Sequence, residues 1–295
     1  MPTLQAKGEN RKLKVAVIGA NGQLGTDVCK MFMEKGDEVV MLTHDHIDIA
    51  DMGSVETVLG GILADAVVNT AAMHHVEKCE TDPVSSYLVN GIGARNLSEV
   101  CNKTSSLLVH ISTDYVFDGK KNAPYVETDI PMPLNVYGNT KLSGEYFVQS
   151  VCKQFYILRI SGIYGKNPCR AKGLNFVALM LKLAKERDEV RVVDDEIVSP
   201  TFTRDIAAQI HRMMHADAAY GLYHVTSEGA CSWYAFAKEI FAISKSSVRL
   251  NKANPDEFPM KVNRPKYSVL ENKFLKEQGL NVMPDWKEAL ASYLA

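Results

Sequence analysis

The run LKVAVIG at residues 13–19 is followed almost at once by GQLGTDVCKMFMEKG at 22–36. A short β-branched stretch that stops on glycine, then Leu24, Val28, Met31 and Phe32 at helical spacing up to Gly36, reads as strand, tight turn and helix. The same alternation recurs. Strand-like segments at 38–42, 66–70, 107–112 and 155–160 are separated by helical segments near 54–60, 84–102 and 136–152. Strands joined through helices pair in parallel, and the crossovers cover both faces of the sheet. The expected fold class is therefore α/β, a doubly wound parallel sheet. Beyond about residue 164 the rhythm loosens into a helix near 174–187, a short strand in EVRVVDD, a helix at 203–215 and a proline-containing segment from 255. This half is expected to form a smaller C-terminal cap.

The turn after the first strand, GANGQLG, supplies Gly19, Gly22 and Gly25. Glycines in this place let the chain turn tightly and let backbone amides approach a pyrophosphate, while the helix N-terminus favours its charge. This context makes the sheet a Rossmann-type dinucleotide-binding unit. Its expected extent is 12–163 with about 191–215; residues 1–11 read as a mobile tail, and about 164–190 with 216–295 as the substrate-binding cap. An acid commonly ends the second strand to hold the ribose 2′-hydroxyl of NAD. Here Leu42, Thr43 and His44 stand there, and Asp45 and Asp48 come later. No carboxylate repels a 2′-phosphate and two donors can meet it, so the expected cofactor is NADPH or NADH, with NADPH favoured. Asp48 and Ile49 are placed to flank the adenine.

Two further clusters fall where a ligand would lie. HISTDYVFDG (110–119) closes a strand with Ser112, Thr113, Asp114 and Tyr115, and ligands of such sheets bind beyond the carboxyl ends of the strands. NVYGNTKLSGE (135–145) then places Tyr137 and Lys141 four residues apart, on one face of a helix. An ammonium beside a phenol is expected to lower its pKa and make it a better proton donor near neutrality.

Other functions are disfavoured. With 33 basic and 35 acidic residues the formal charge is −2, and no long block of one sign suggests a nucleic-acid or anionic-membrane surface. No apolar run approaches the roughly 18 residues that span a bilayer, and the opening MPTLQAKGENRKLK lacks a signal peptide's apolar core. Six scattered cysteines without CxxC spacing read as reduced core thiols, and point to the cytoplasm. His74 and His75 with Glu77, and His211 with His215 at i,i+4 spacing, lack a third ligand at a recognisable distance, so no metal is expected. His74 and His75 follow the third strand, and either can still touch substrate.

Taken together, the glycine triplet, Ser-Thr-Asp-Tyr-Val-Phe-x-Gly and Tyr-Gly-x-x-Lys-x-x-Gly-Glu resemble the extended short-chain dehydrogenase/reductases, and more narrowly the dTDP-4-dehydrorhamnose reductase family. NTAA, PLNVYG, Arg159 before IYG, GLNF, SPTFTRDIA and RPKYSVL extend the resemblance over residues 13–290. It implies NAD(P)H-dependent reduction of the C4 ketone of a nucleotide-activated 6-deoxysugar. Tyr137 would be the general acid, Lys141 would hold the nicotinamide ribose, and Thr113 would orient the carbonyl. The cofactor would also meet Asn21, Gln23, Leu24, Ala71 and Ala72, in addition to the glycines, Thr43, His44, Asp48 and Ile49. His74, Asp114, Tyr115, Asn175 and Arg264 would face the substrate, Arg264 as a diphosphate contact. A homodimer is among the expected assemblies.

Members that dehydrate sugars carry an Asp-Glu pair where this chain has Asp114-Tyr115, which favours simple reduction. The chain departs from the family pattern at Gly162, where a tryptophan is common, at Glu196 and Val198 for Gln and Gly, and at Met73-His74-His75. All three fall on the substrate side. Two alternatives stay open: a reductase or epimerase acting on another nucleotide sugar, or a non-catalytic nucleotide-binding regulator like the β subunit of methionine adenosyltransferase.

Overall fold

The computed structural model describes residues 12–168, 173–254, 257 and 262–295. The expected tail over 1–11 lies outside these residues. β1 (Lys14–Ile18) runs into α1 (Gln23–Glu34), followed by β2 (Glu38–Leu42), α2 (Met52–Ile62) and β3 (Ala66–Asn69). Two short helices, α3 (Val76–Thr81) and α4 (Pro83–Tyr87), lead to α5 (Gly93–Thr104), β4 (Leu107–Thr113), α6 (Val136–Val151) and β5 (Phe155–Ile160). Beyond these come α7 (Phe176–Glu186), α8 (Thr203–His215), α9 (Trp233–Ile243), α10 (Lys273–Glu277) and α11 (Trp286–Leu294). The main sheet has six strands in the order Gly221–His224, β5, β4, β3, β1, β2, every neighbouring pair parallel. The chain leaves β1 for β2 on one side and returns for β3 on the other, so the order reverses between β1 and β3. Such a switch opens a crevice at the carboxyl ends of the strands.

The period-two alternation of a strand explains why VAVI is apolar throughout. Val15 and Val17 pack with Val28 and Phe32 of α1 and Ile206 and Ile210 of α8. Ala16 and Ile18 face the other way, toward Val55 of α2, Leu97 of α5 and Val148 of α6. A third cluster forms the cap, where Val177, Met180, Phe236, Ile240, Trp286 and Leu290 join α7, α9 and α11. Trp233 and Tyr234 pack against its rim.

Three expectations are corrected. Gly221–His224, assigned to the cap, completes the main sheet against β5; the strand has only four residues, too few to show periodicity. Glu189–Val192 pairs instead with Arg249–Lys252, and Val190 and Val192 belong to the cap core, so the chain rejoins the sheet layer with α8 rather than at 191. The single helix expected over 84–102 is split by a π-helical segment, Leu88–Ile92. There Asn90 turns inward: its Oδ1 accepts from Met73 N at 2.9 Å, and its Nδ2 donates to Met73 O at 2.9 Å and Thr140 Oγ1 at 3.0 Å.

Candidate active site

The glycine turn is built for close approach. Gly19 sits at φ +78°, in the left-handed region. Its N–H and that of Ala20 donate to Leu42 O at 2.9 and 3.1 Å, fastening the turn to the end of β2. A Cβ on Gly25 would lie 2.2 Å from Gly19 O, so a side chain there would push α1 off β1. The α1 N-terminus has no side-chain cap and no acid in its first turn, leaving its amides directed at an incoming anion. This cradle fits a dinucleotide's pyrophosphate. Asn21 is exposed on the turn, whereas the Leu24 side chain lies in the core, leaving its backbone for a ligand. Gln23 is buried and donates to Asn167 O at 3.3 Å.

Beyond β2, Thr43 is half-buried and His44 exposed on the following loop. The Thr43 hydroxyl is 2.9 Å from His46 Nδ1, which also accepts from Thr43 N at 3.1 Å; sequence reading passed over His46. Asp48 is exposed, and its Oδ1 accepts from Ala50 N at 3.0 Å. Ile49 differs from expectation. Its side chain is turned into the core, against Gly93 of α5, because the absent Cβ there leaves room for it.

Ala71 and Ala72 follow β3, partly buried. Asn69 accepts from Ala71 N at 3.1 Å through Oδ1 and places Nδ2 3.2 Å from His110 Nδ1. His110 Nε2 in turn lies 3.5 Å from Lys141 Nζ. All three side chains are buried. Burial lowers the Lys141 pKa from 10.5 to about 8, opposed by Glu145. Burial, and then the Lys141 charge, holds His110 well below its ordinary value.

Tyr137 departs from the sequence expectation. Its pKa is raised rather than lowered, chiefly by burial, with a hydrogen bond between it and Thr113 opposing and the Asp114 charge adding to the rise. Desolvation disfavours phenolate and ammonium alike, and at Tyr137 it is the largest effect. The phenol therefore keeps its proton throughout the neutral range.

α6 is started by Asn135, whose side chain accepts from Gly138 N at 2.8 Å. A Cβ on Gly138 would meet Tyr115 O at 2.3 Å, so this glycine seats the tyrosine-bearing turn against the end of β4. Thr113 Oγ1 donates to Asp114 Oδ1 at 3.0 Å and accepts from Tyr115 N at 3.2 Å. Tyr115 meets Tyr137 edge to face at 5.7 Å.

Several residues expected to face substrate are already engaged. Asp114 Oδ2 accepts from Ser161 Oγ at 2.8 Å and Ser268 Oγ at 2.6 Å, and burial raises its pKa. Asn175 caps α7 through Ala178 N at 2.9 Å and donates to Gly165 O at 2.7 Å; these internal contacts occupy both ends of its amide. Arg264 donates to Glu77 Oε1 at 2.6 Å, while its buried Nε has no partner. His74 is partly buried beside Ala72 O, 3.3 Å from its Nδ1, and His75 caps α3.

The departures from the family pattern meet one another. A Cβ on Gly162 (φ +53°) would touch the Trp233 ring at 3.5 Å, and Trp233 Nε1 donates to Glu196 Oε2 at 3.2 Å. Thus α9 brings an indole to the place where residue 162 lacks one.

The family described as RmlD substrate binding domain matches residues 13–295. The chain belongs to that family. It is 41% identical over 281 residues to the spore coat polysaccharide biosynthesis protein SpsK of Bacillus subtilis, covering 95% of this chain and 96% of the relative. It is 35% identical to dTDP-4-dehydrorhamnose reductase of Burkholderia thailandensis, covering 94% and 97%. The crystal structure of dTDP-4-dehydrorhamnose reductase from Bacillus anthracis in complex with NADP superposes with a TM-score of 0.91, at 36% identity and 96% and 99% coverage.

Within this RmlD-type framework, sequence reading missed a buried ion pair behind the site. Arg159 Nε and Nη2 donate to Glu145 Oε1 and Oε2 at 2.9 and 2.6 Å, and Ser112 Oγ donates to Glu145 Oε1 at 2.5 Å. The pair ties α6 to β4 and β5. Its signal was present: Arg159 in FYILRI and His110 in LLVHIST are polar side chains within largely buried strands, where such groups need partners.

Proposed function

We propose that this chain reduces the C4 ketone of a nucleotide-activated 6-deoxysugar with NADPH or NADH, as a dTDP-4-dehydrorhamnose reductase does. The single observation carrying this reading is that Tyr137 and Thr113 meet at the carboxyl end of β4, one helical turn from Lys141. The NADP bound to the Bacillus anthracis relative supports NADPH ahead of NADH. The reduced nicotinamide, when bound, supplies hydride. The chain's own residues handle the proton. Tyr137, kept protonated by burial, donates to the carbonyl oxygen as negative charge develops on it. Thr113 has one hydroxyl hydrogen: turned toward Asp114 it meets Tyr137 as an acceptor, and turned toward Tyr137 it stabilises the phenolate left behind. Lys141, with a pKa of about 8, is poised to carry charge near working pH and to hold the nicotinamide ribose. His74 and Tyr115 would face the sugar. Arg264 would exchange Glu77 for the diphosphate, and its unpartnered Nε offers a further donor.

Simple reduction is favoured over dehydration because Asp114 is the only carboxylate in its pair and three hydroxyls already engage it. A cytoplasmic location belongs to the same reading, supported by the five described cysteines, all buried and unpaired. Among the described residues no helix is long and apolar enough to cross a membrane. The test is a panel of activated 4-keto sugars with each cofactor, comparing the native protein with Tyr137→Phe. Loss of the general acid is expected to lower turnover by about 100-fold or more and to leave NADPH binding unchanged. Equal rates in the two proteins would refute the mechanism, and no turnover on any sugar would favour the regulatory alternative.

A further inference from the structure

The third ligand that the sequence did not offer to His211 and His215 is supplied by the fold. Both histidines lie on the last turns of α8, and Asp37 precedes β2, 174 residues before His211 in the chain. Asp37 Oδ2 is 3.0 Å from His215 Nε2 and 3.5 Å from His211 Nε2. The three donor atoms all lie within 4.8 Å of one another.

We infer that Asp37, His211 and His215 form a site for a zinc-class divalent cation, separate from the reductase centre. A tetrahedral zinc with bonds of about 2.0–2.2 Å holds neighbouring donors roughly 3.3 Å apart, and the two measured separations bracket that spacing. The carboxylate is already oriented. Its Oδ1 accepts from Leu13 N at 2.9 Å, leaving Oδ2 toward the histidines, the kind of outer contact that fixes a ligand's direction. The two imidazoles stack with centroids 4.1 Å apart, and Phe32 packs edge-on against His211 at 5.1 Å. Asp37 Oδ2 engages His215, but His211 Nε2 is buried without a hydrogen-bond partner; a cation between the three groups would satisfy it. Burial keeps His211 neutral, the form that ligates, with His215 and Lys35 disfavouring its charge and Asp37 opposing them.

Two imidazoles and one carboxylate suit zinc and its borderline neighbours rather than magnesium or calcium, which take oxygen ligands. With side-chain exposures of 18% and 23% at the histidines, a water can complete the coordination. The site lies at the amino end of β2, and the strand rises about 3.3 Å per residue toward the opposite end, where Tyr137 is found. The bound ion would therefore clamp α8 to the α1–β2 turn and take no part in the reduction.

The experiment uses untagged, EDTA-treated full-length protein titrated with Zn²⁺ by calorimetry, and with Co²⁺ by its visible spectrum. One equivalent should bind, with a tetrahedral Co²⁺ spectrum and a raised Tm. In the His211→Gln/His215→Gln variant, affinity should fall on the order of 100-fold or more, exceeding the usual loss of an outer contact. His211→Gln alone preserves the Asp37–His215 pair, so loss of the zinc-induced Tm rise in that protein separates ligation from ordinary ion pairing. Reductase turnover should be the same in the native protein and this variant, with or without zinc. Absence of saturable uptake, or undiminished uptake by the double variant, would overturn the assignment.

Discussion

Lys141→Met is expected to make the ligand-free protein more stable while disabling it. The native ammonium is enclosed, 2% exposed, and its pKa falls from 10.5 to about 8. The unfolded chain holds the proton up to its ordinary pKa, whereas the folded one releases it near 8. Native stability consequently rises with pH across that window, and at pH 7 the folded protein bears a cost of about 3 kcal/mol for keeping the charge inside. Methionine fills a similar volume without charge, so most of this should be recovered, as happens when buried ions are replaced by apolar groups. By pH 9 the advantage should shrink to about 2 kcal/mol, because most folded native molecules have then lost the proton while the unfolded chain still holds it. Urea denaturation of both proteins at pH 7 and pH 9 measures the difference, in which titrations common to the two cancel. A methionine variant less stable than the native protein at pH 7, or an advantage independent of pH, would refute the account of Lys141 as a charge retained against desolvation.

Two further substitutions probe the scaffold. Glu145→Gln leaves Arg159 buried and uncompensated, and should destabilise the protein by about 3–5 kcal/mol in chemical denaturation; a loss under about 1 kcal/mol would show that the pair is dispensable. Gly25→Ala drives a methyl group to 2.2 Å from Gly19 O. The turn must shift, so NADPH affinity by fluorescence titration should drop at least about 10-fold with about 1–3 kcal/mol of stability, and an unchanged affinity would contradict the cradle.

The parallel sheet was legible because β-branched runs such as VAVI and LLVHIS are short, buried on both faces and spaced by amphipathic helices. Gly19 and Gly25 were legible because their role depends on having no side chain. The terminal strand Gly221–His224 was not, since four residues at an edge carry little pattern. Nor was the π segment, which depends on Asn90 reaching Met73 and Thr140, contacts that sequence spacing does not encode. Tyr137 and Lys141 were recognisable as a pair, yet the sign of the phenol's shift was misjudged because burial is a property of the whole fold. Asp37 could not be matched to His211 and His215 for a related reason: its partnership is made by tertiary packing alone.

The carboxylate of Asp114 receives hydroxyls from its neighbour Thr113 and from two distant residues, Ser161 and Ser268, the last of them 154 residues downstream. During synthesis from the amino terminus, the strand carrying Asp114 is made long before Ser268 leaves the ribosome. Until then this acid faces its desolvation one hydroxyl short. The catalytic end of the sheet thus cannot settle until nearly the entire polypeptide has emerged, and a prematurely terminated product would lack the latch that closes it.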